Sequence, residues 1–202
     1  MAIGKLPALG AASLGTASAV GGGYWALTRD SKVEVKTENL RSKYKLAILV
    51  TDDDWNKKFE KLKGESTAPT YAPLKEAHTK KSEESKAKAL HKKACEDVYE
   101  LPKTTTDNLS EFAKYCFFNN LDKAGDGKTL ISENNGFQDK WDTFKAKQES
   151  EISPELVDAL KNKGSAKTDT NWQGKMVTGC KALSEKIYEG DNEDFKAFCI
   201  KP

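Results

Sequence analysis

Cys95, Cys116, Cys180 and Cys199 are the residues of this chain whose type and spacing specify a reaction, and that reaction is oxidation to disulfides. Cys95 and Cys116 stand 21 residues apart, Cys180 and Cys199 stand 19 apart, and each pair flanks a turn. Cys95 lies six residues before Leu101 and Cys116 nine after Asp107, so in an antiparallel helical hairpin the two come level, as a disulfide requires. Cys180 and Cys199 flank the shorter turn at 190–192 in a compatible way. Within-copy bonds, Cys95–Cys116 and Cys180–Cys199, reproduce one local solution twice. Closing loops of this size contributes about 3 kcal/mol each in the chain-entropy account. Four buried reduced thiols, ordinary in a cytosolic protein, are the competing reading. Zinc is disfavoured, because there is no Cys-x-x-Cys pair and the chain has only two histidines.

Little else suggests chemistry. His78 and His91 lie on polar helical stretches without a cysteine or serine motif beside them, and read as part of a solvated helix face. No GxSxG, HExxH or P-loop pattern occurs. Residues 122–128 (DKAGDGK) lack the acidic positions and closing glutamate of a calcium loop and read as an Asp/Gly turn. Asp52, Asp53 and Asp54 read as capping and first-turn acids rather than a cation site. Asn108-Leu109-Ser110 is a lone glycosylation sequon. The expectation is a non-enzymatic protein with no catalytic residue, cofactor or metal.

The elements that must position the cysteines read as two copies of one unit. Trp55 precedes Cys95 by 40 residues and Trp141 precedes Cys180 by 39, which gives the pattern a period of about 85. Trp55, Phe59 and Leu62 fall at i, i+4, i+7 ahead of Gly64, and Phe137, Trp141 and Phe144 repeat that spacing. Trp172, Met176, Cys180, Leu183 and Ile187 make one helical stripe, and Ala87, Leu90, Ala94, Val98 and Leu101 its paler counterpart. The second copy carries an extra short helix, with Ser153 as N-cap, Pro154 as first residue and Gly164 as stop. Val98-Tyr99-Glu100 corresponds to Ile187-Tyr188-Glu189, and the closing helices are residues 109–116 and 192–199. Asn108 with Glu111 resembles a capping box. Residues 44–50 are helix or strand by periodicity alone, with 129–131 as counterpart. The predicted fold is all-α: two related helical-hairpin units in tandem, 40–120 and 121–202, after an N-terminal apolar helix and a 31–39 linker. Trp55, Trp141 and Trp172 are structural aromatics, and Trp55 and Trp141 should be substantially buried.

At 202 residues the chain is long enough to bury a real core, although 32% of it is charged and 37% apolar. The net charge of +2 arises from 33 basic and 31 acidic residues, well mixed, without the basic stripe that a nucleic-acid partner requires. Only Arg29 and Arg41 are arginine, which argues against a bidentate phosphate or carboxylate grip.

Residues 6–28 carry no charge and are long enough to cross a bilayer. Residues 1–30 read as a membrane anchor, with Tyr24 and Trp25 at an interfacial position, or as a signal segment with Ala17-Ser18-Ala19 as cleavage pattern. A glycine-rich buried helix is the third reading. Lysines and arginines cluster after the segment, which the positive-inside rule places in the cytoplasm. Paired cysteines place the body outside, and the expectation follows them: a single-pass cell-membrane protein with an extracellular body.

The apolar, glycine- and alanine-rich start, the lysine-rich body and the paired W…C…YE…F-x-x-[YF]-C segments resemble the paralogous small proteins of haemotropic mycoplasmas. That resemblance spans the whole chain and supplies no catalytic residue. It implies a membrane-anchored surface protein concerned with host contact or antigenic variation, its partner a host or surface protein. A cytoplasmic-facing membrane adaptor with reduced cysteines is the alternative.

Overall fold

The computed structural model describes residues 38–201, so the apolar segment 6–28 and most of the 31–39 linker lie outside the described residues. What is described is mostly helical, as an all-α chain requires. Asn39, expected in the linker, already belongs to the fold. It caps α1 (Leu40–Lys43) by accepting from the Ser42 N–H, and its own side-chain amide donates to Glu100.

α2 (Asp52–Gly64) forms because Thr51 and Asp54 make a reciprocal capping box and three aspartates face the positive end of the helix dipole. It buries Lys58, Phe59 and Leu62. α3 (Ala72–Thr79) opens with Pro73 in its first turn, where the missing N–H costs nothing. It packs on α4 (Glu84–Tyr99), as α7 (Pro154–Lys161) packs on α8 (Thr170–Glu185). The short helix expected only in the second half therefore has a counterpart in the first. α3 was obscured by its polar residues, although Leu74, Ala77 and His78 are buried. α7 ends at Lys161, three residues before Gly164.

α5 (Leu109–Tyr115) follows Asn108, whose backbone is left-handed at φ 57° and whose side chain makes no cap. Glu111 does not complete a capping box there. It turns to α3 and accepts from the Thr70 and Tyr71 N–H groups at 2.6 and 3.0 Å. A carboxylate gains more from two orphan N–H groups of a neighbouring helix start than from one of its own.

The second half is less regular. Residues Asn134–Lys140 are a 3₁₀ helix, and only Trp141–Lys145 (α6) is α-helical. Asn134-Asn135-Gly136 is a poor helix start. Gly136 also lies so close to Ile131 that a Cβ would come within 2.6 Å of its Cγ2. Residues Phe195–Cys199 form a π-helix rather than an α-helix.

β1 (Thr129–Leu130) pairs antiparallel with β2 (Ile200–Lys201), and Leu130 faces Ile200. In the first half Ile48 bridges Phe117 in the same sense. Each bridge uses the residue just after the closing cysteine. Residues 44–50 are thus neither a full helix nor a strand. Phe118 donates its N–H to Ala47 and accepts from Tyr188 N–H, so 117–120 links the 47–48 segment to 186–188. Ile187, expected at the end of the α8 stripe, has left the helix and packs into the first core with Tyr44, Phe112 and Phe117.

Candidate functional site

Both disulfides staple a long helix to the segment that closes its half. Cys95–Cys116 and Cys180–Cys199 are bonded at 1.96 and 2.01 Å, each with Cα atoms 5.1 Å apart. All four sulfurs are buried, and no cysteine is free. These four residues are covalent structure, remote from solvent and from any nucleophilic role.

The tryptophans differ between halves. Trp172 is fully buried, with its ring centroid 4.7 Å from Trp141 and 5.7 Å from Phe144. Trp141 is 6% exposed. Trp55 is partly buried and packs against the first core, less completely than Trp141. With the cysteines in register, Ala87 stands where the second half has Trp172, and His91 where it has Met176. The imidazole of His91 takes the aromatic place, 6.0 Å from Trp55 and 5.9 Å from Phe59. It does not replace the volume of an indole. A hollow of about 310 Å³ lies beside Trp55 and Phe59, with Lys88 and Lys92 above the rings and Asp52 among its lining residues.

The histidines are not on a solvated face. His91 is 1% exposed, and its Nε2–H donates to the Tyr115 carbonyl at 2.9 Å. Burial holds its pKa below the ordinary value; the carbonyl opposes that shift and nearby Lys58 adds to it. His78 is also buried, with Nε2 2.9 Å from the Glu65 carbonyl. Their flanking lysines made these stretches look polar; both rings nevertheless point inward to carbonyls at the ends of neighbouring helices.

One charge is buried that no local sequence pattern marks. Lys58, which reads in sequence as one more lysine of α2, is 1% exposed. Its Nζ lies 2.5 Å from Asp122 Oδ2 and donates to the Ala113 and Lys114 carbonyls, which close α5. Loss of hydration lowers the Lys58 pKa to about 8 against the pull of Asp122. Burial alone would push the Asp122 carboxyl up, but Lys58, Lys61 and the Asn119 N–H together hold it below the usual carboxylate range. Asp122, expected only as a turn residue, thus pins the connection between halves to α2 and α5. The remaining turn follows expectation, with Gly125 and Gly127 at φ 103° and 73° where a Cβ would be strained.

A concavity lies where the halves meet. A cleft of about 620 Å³, within the size range of ligand sites, has Tyr44, Leu109, Ala113 and Ile187 among its apolar walls. Glu185, Glu189 and Asp191 stand at its rim. Asp191 is engaged by Lys196 and the Tyr188 hydroxyl. Glu185 and Glu189 have no cation within ion-pair distance among the described residues. No nucleophile with an adjacent base lines the cleft, and no group of three His, Cys, Asp or Glu side chains suited to a metal occurs among the described residues.

The fold and its cleft define a disulfide-stapled all-α protein. No protein family, curated protein or solved structure matches the chain.

Proposed function

We propose that this chain is an exported, membrane-tethered, non-enzymatic surface protein that acts by binding another protein, and that it belongs with the paralogous small proteins of haemotropic mycoplasmas. The observation that carries the reading is the closure of both cysteine pairs, since stable disulfides belong to oxidising, extracytoplasmic space. In this reading residues 6–28 tether the body to the membrane. No helix among the described residues is long and apolar enough to cross one, so the tether falls to that segment.

The body is read as two related helical units in tandem. Three equivalences support the duplication: a proline-started helix packed on the cysteine helix, a disulfide from that helix to the closing segment, and an antiparallel bridge after the second cysteine. Host contact or antigenic variation is the task such a stapled, lysine-rich body would serve.

Protease treatment of intact cells tests the export. Loss of the body from the outside is the expected result, together with resistance of native protein to thiol alkylation. Protection of the body, with four alkylatable cysteines, favours instead the cytoplasmic-facing adaptor with reduced thiols.

A further inference from the structure

We infer that the cleft between the halves is a groove for an extended segment of a partner polypeptide that carries a lysine or arginine beside an apolar residue. The inference rests on the reading of this chain as an interaction protein and names the chemistry of its partner. The backbone on one wall comes first. Asn119 and Ile187 form an antiparallel bridge in which Asn120 N–H donates to Lys186 and Tyr188 N–H to Phe118, at 3.1 and 2.9 Å. In such a pair the residues between those bonds turn their own polar groups away from the partner strand. Accordingly the N–H and C=O groups of Ile187 and Glu189, both cleft residues, have no hydrogen-bond partner among the described residues. These free groups flank an isolated bridge, and an incoming extended chain would pair with them through main-chain hydrogen bonds.

Side chains set what that chain must be. Glu185 and Glu189 are exposed and free of ion pairs, whereas the neighbouring Lys186 is directed away onto Glu155. The unmatched charge at the rim is therefore negative and calls for a cation on the occupant. Tyr44 and Leu109 supply an apolar wall for a neighbouring side chain. Leu46, one of two exposed large hydrophobic residues among those described, extends that wall past Gly190. Gly190, at φ 127° and without a side chain, keeps this end open.

The test uses the intact, oxidised protein and two pools of N-acetylated, C-amidated hexapeptides, randomised except for a fixed lysine or a fixed glutamate at the third position. The lysine pool should be retained over the glutamate pool by about five- to tenfold, the scale of two exposed carboxylate contacts. The doubly substituted Glu185→Gln, Glu189→Gln protein, its fold verified by circular dichroism, should lose that preference. Backbone N-methylation of the retained peptides should abolish binding, and the amides of Ile187 and Glu189 should shift in NMR spectra on titration. Equal retention of the pools, a preference that survives the double substitution, or shifts confined to another surface overturns the groove. Failure here leaves the exported, membrane-tethered reading standing, because protease treatment of cells decides that separately.

Discussion

Replacing Lys58 by methionine should remove a pH dependence of stability in the alkaline range. The Lys58 ammonium is 1% exposed, and the hydration lost outweighs the attraction of Asp122, so its pKa falls from 10.5 to about 8. In the unfolded chain it returns to its ordinary value. Between those two values the unfolded state holds a proton that the folded state has released, and stability must rise with pH. Worked through that linkage, the side chain adds about 2 kcal/mol to stability between pH 7 and 9.5, and about 3 kcal/mol once the unfolded side chain also titrates. Lys58→Met lacks the term. Urea unfolding of both proteins at half-unit pH steps, followed by circular dichroism with the disulfides intact, isolates it, because the other lysines cancel in the difference. The wild-type protein should gain on the variant by about 2 kcal/mol over that interval. A difference that is flat, or that shrinks as pH rises, refutes the burial of a charged Lys58 against Asp122 and α5.

Trp141→Ala should cost about 3–5 kcal/mol by loss of a buried indole packed on Trp172, and Trp55→Ala about 1–2 kcal/mol, since Trp55 is half-buried. Equal costs in chemical unfolding would contradict the asymmetry of the halves. Gly179→Ala should destabilise by about 1–3 kcal/mol, because its Cβ would lie 2.3 Å from the Glu155 carbonyl and force α7 from α8; a thermal shift scan reads this directly. His91, held neutral by burial, binds a proton in the unfolded chain before it does so in the folded one. Stability should therefore fall as pH drops below about 6.5, and a His91→Phe variant should lose less over the same pH steps.

The cysteine hairpins and the helical class are legible because they depend on near neighbours in sequence. A stripe such as Trp172, Met176, Cys180 and Leu183 states its own period. What escapes are contacts between residues distant in the chain. Lys58 and Asp122 are each ordinary in their local setting, a lysine on a charged helix and an aspartate in a turn. Only the end of α5, which presents two carbonyls to the same point, makes the lysine a buried residue. Glu111 is misread for a related reason: its position three residues after Asn108 satisfies a local pattern, yet the N–H groups of Thr70 and Tyr71 compete for it and win. The π-helix that ends at Cys199 leaves no mark in a pattern of apolar spacing. Tyr99 and Tyr188 show the same limit. The dipeptide Tyr-Glu is shared, but Tyr99 donates to the Cys116 carbonyl inside the core while Tyr188 donates to Asp191 at the surface.

The proposed duplication gains its meaning from where the halves disagree. The disulfides fix the cysteine helices against the closing segments, so the interior residues at matched distances from the cysteines can be compared as volumes. Ala87, His91 and Ala94 answer to Trp172, Met176 and Gly179. The second half spends an indole and a glycine on close packing: the glycine lets α8 approach α7, and the indole fills the space above Trp141 and Phe144. The first half has an alanine at that position, and a hollow lies beside Trp55 and Phe59. Its own core is completed from elsewhere, by Ile187, a residue of the second half. To deliver Ile187, the chain must leave α8 after Glu185 and run extended beside 117–120. That detour leaves those backbone groups free and forms one wall of the cleft. The same borrowing that closes the first core therefore also shapes the cleft proposed for a partner, and the two cannot be altered independently.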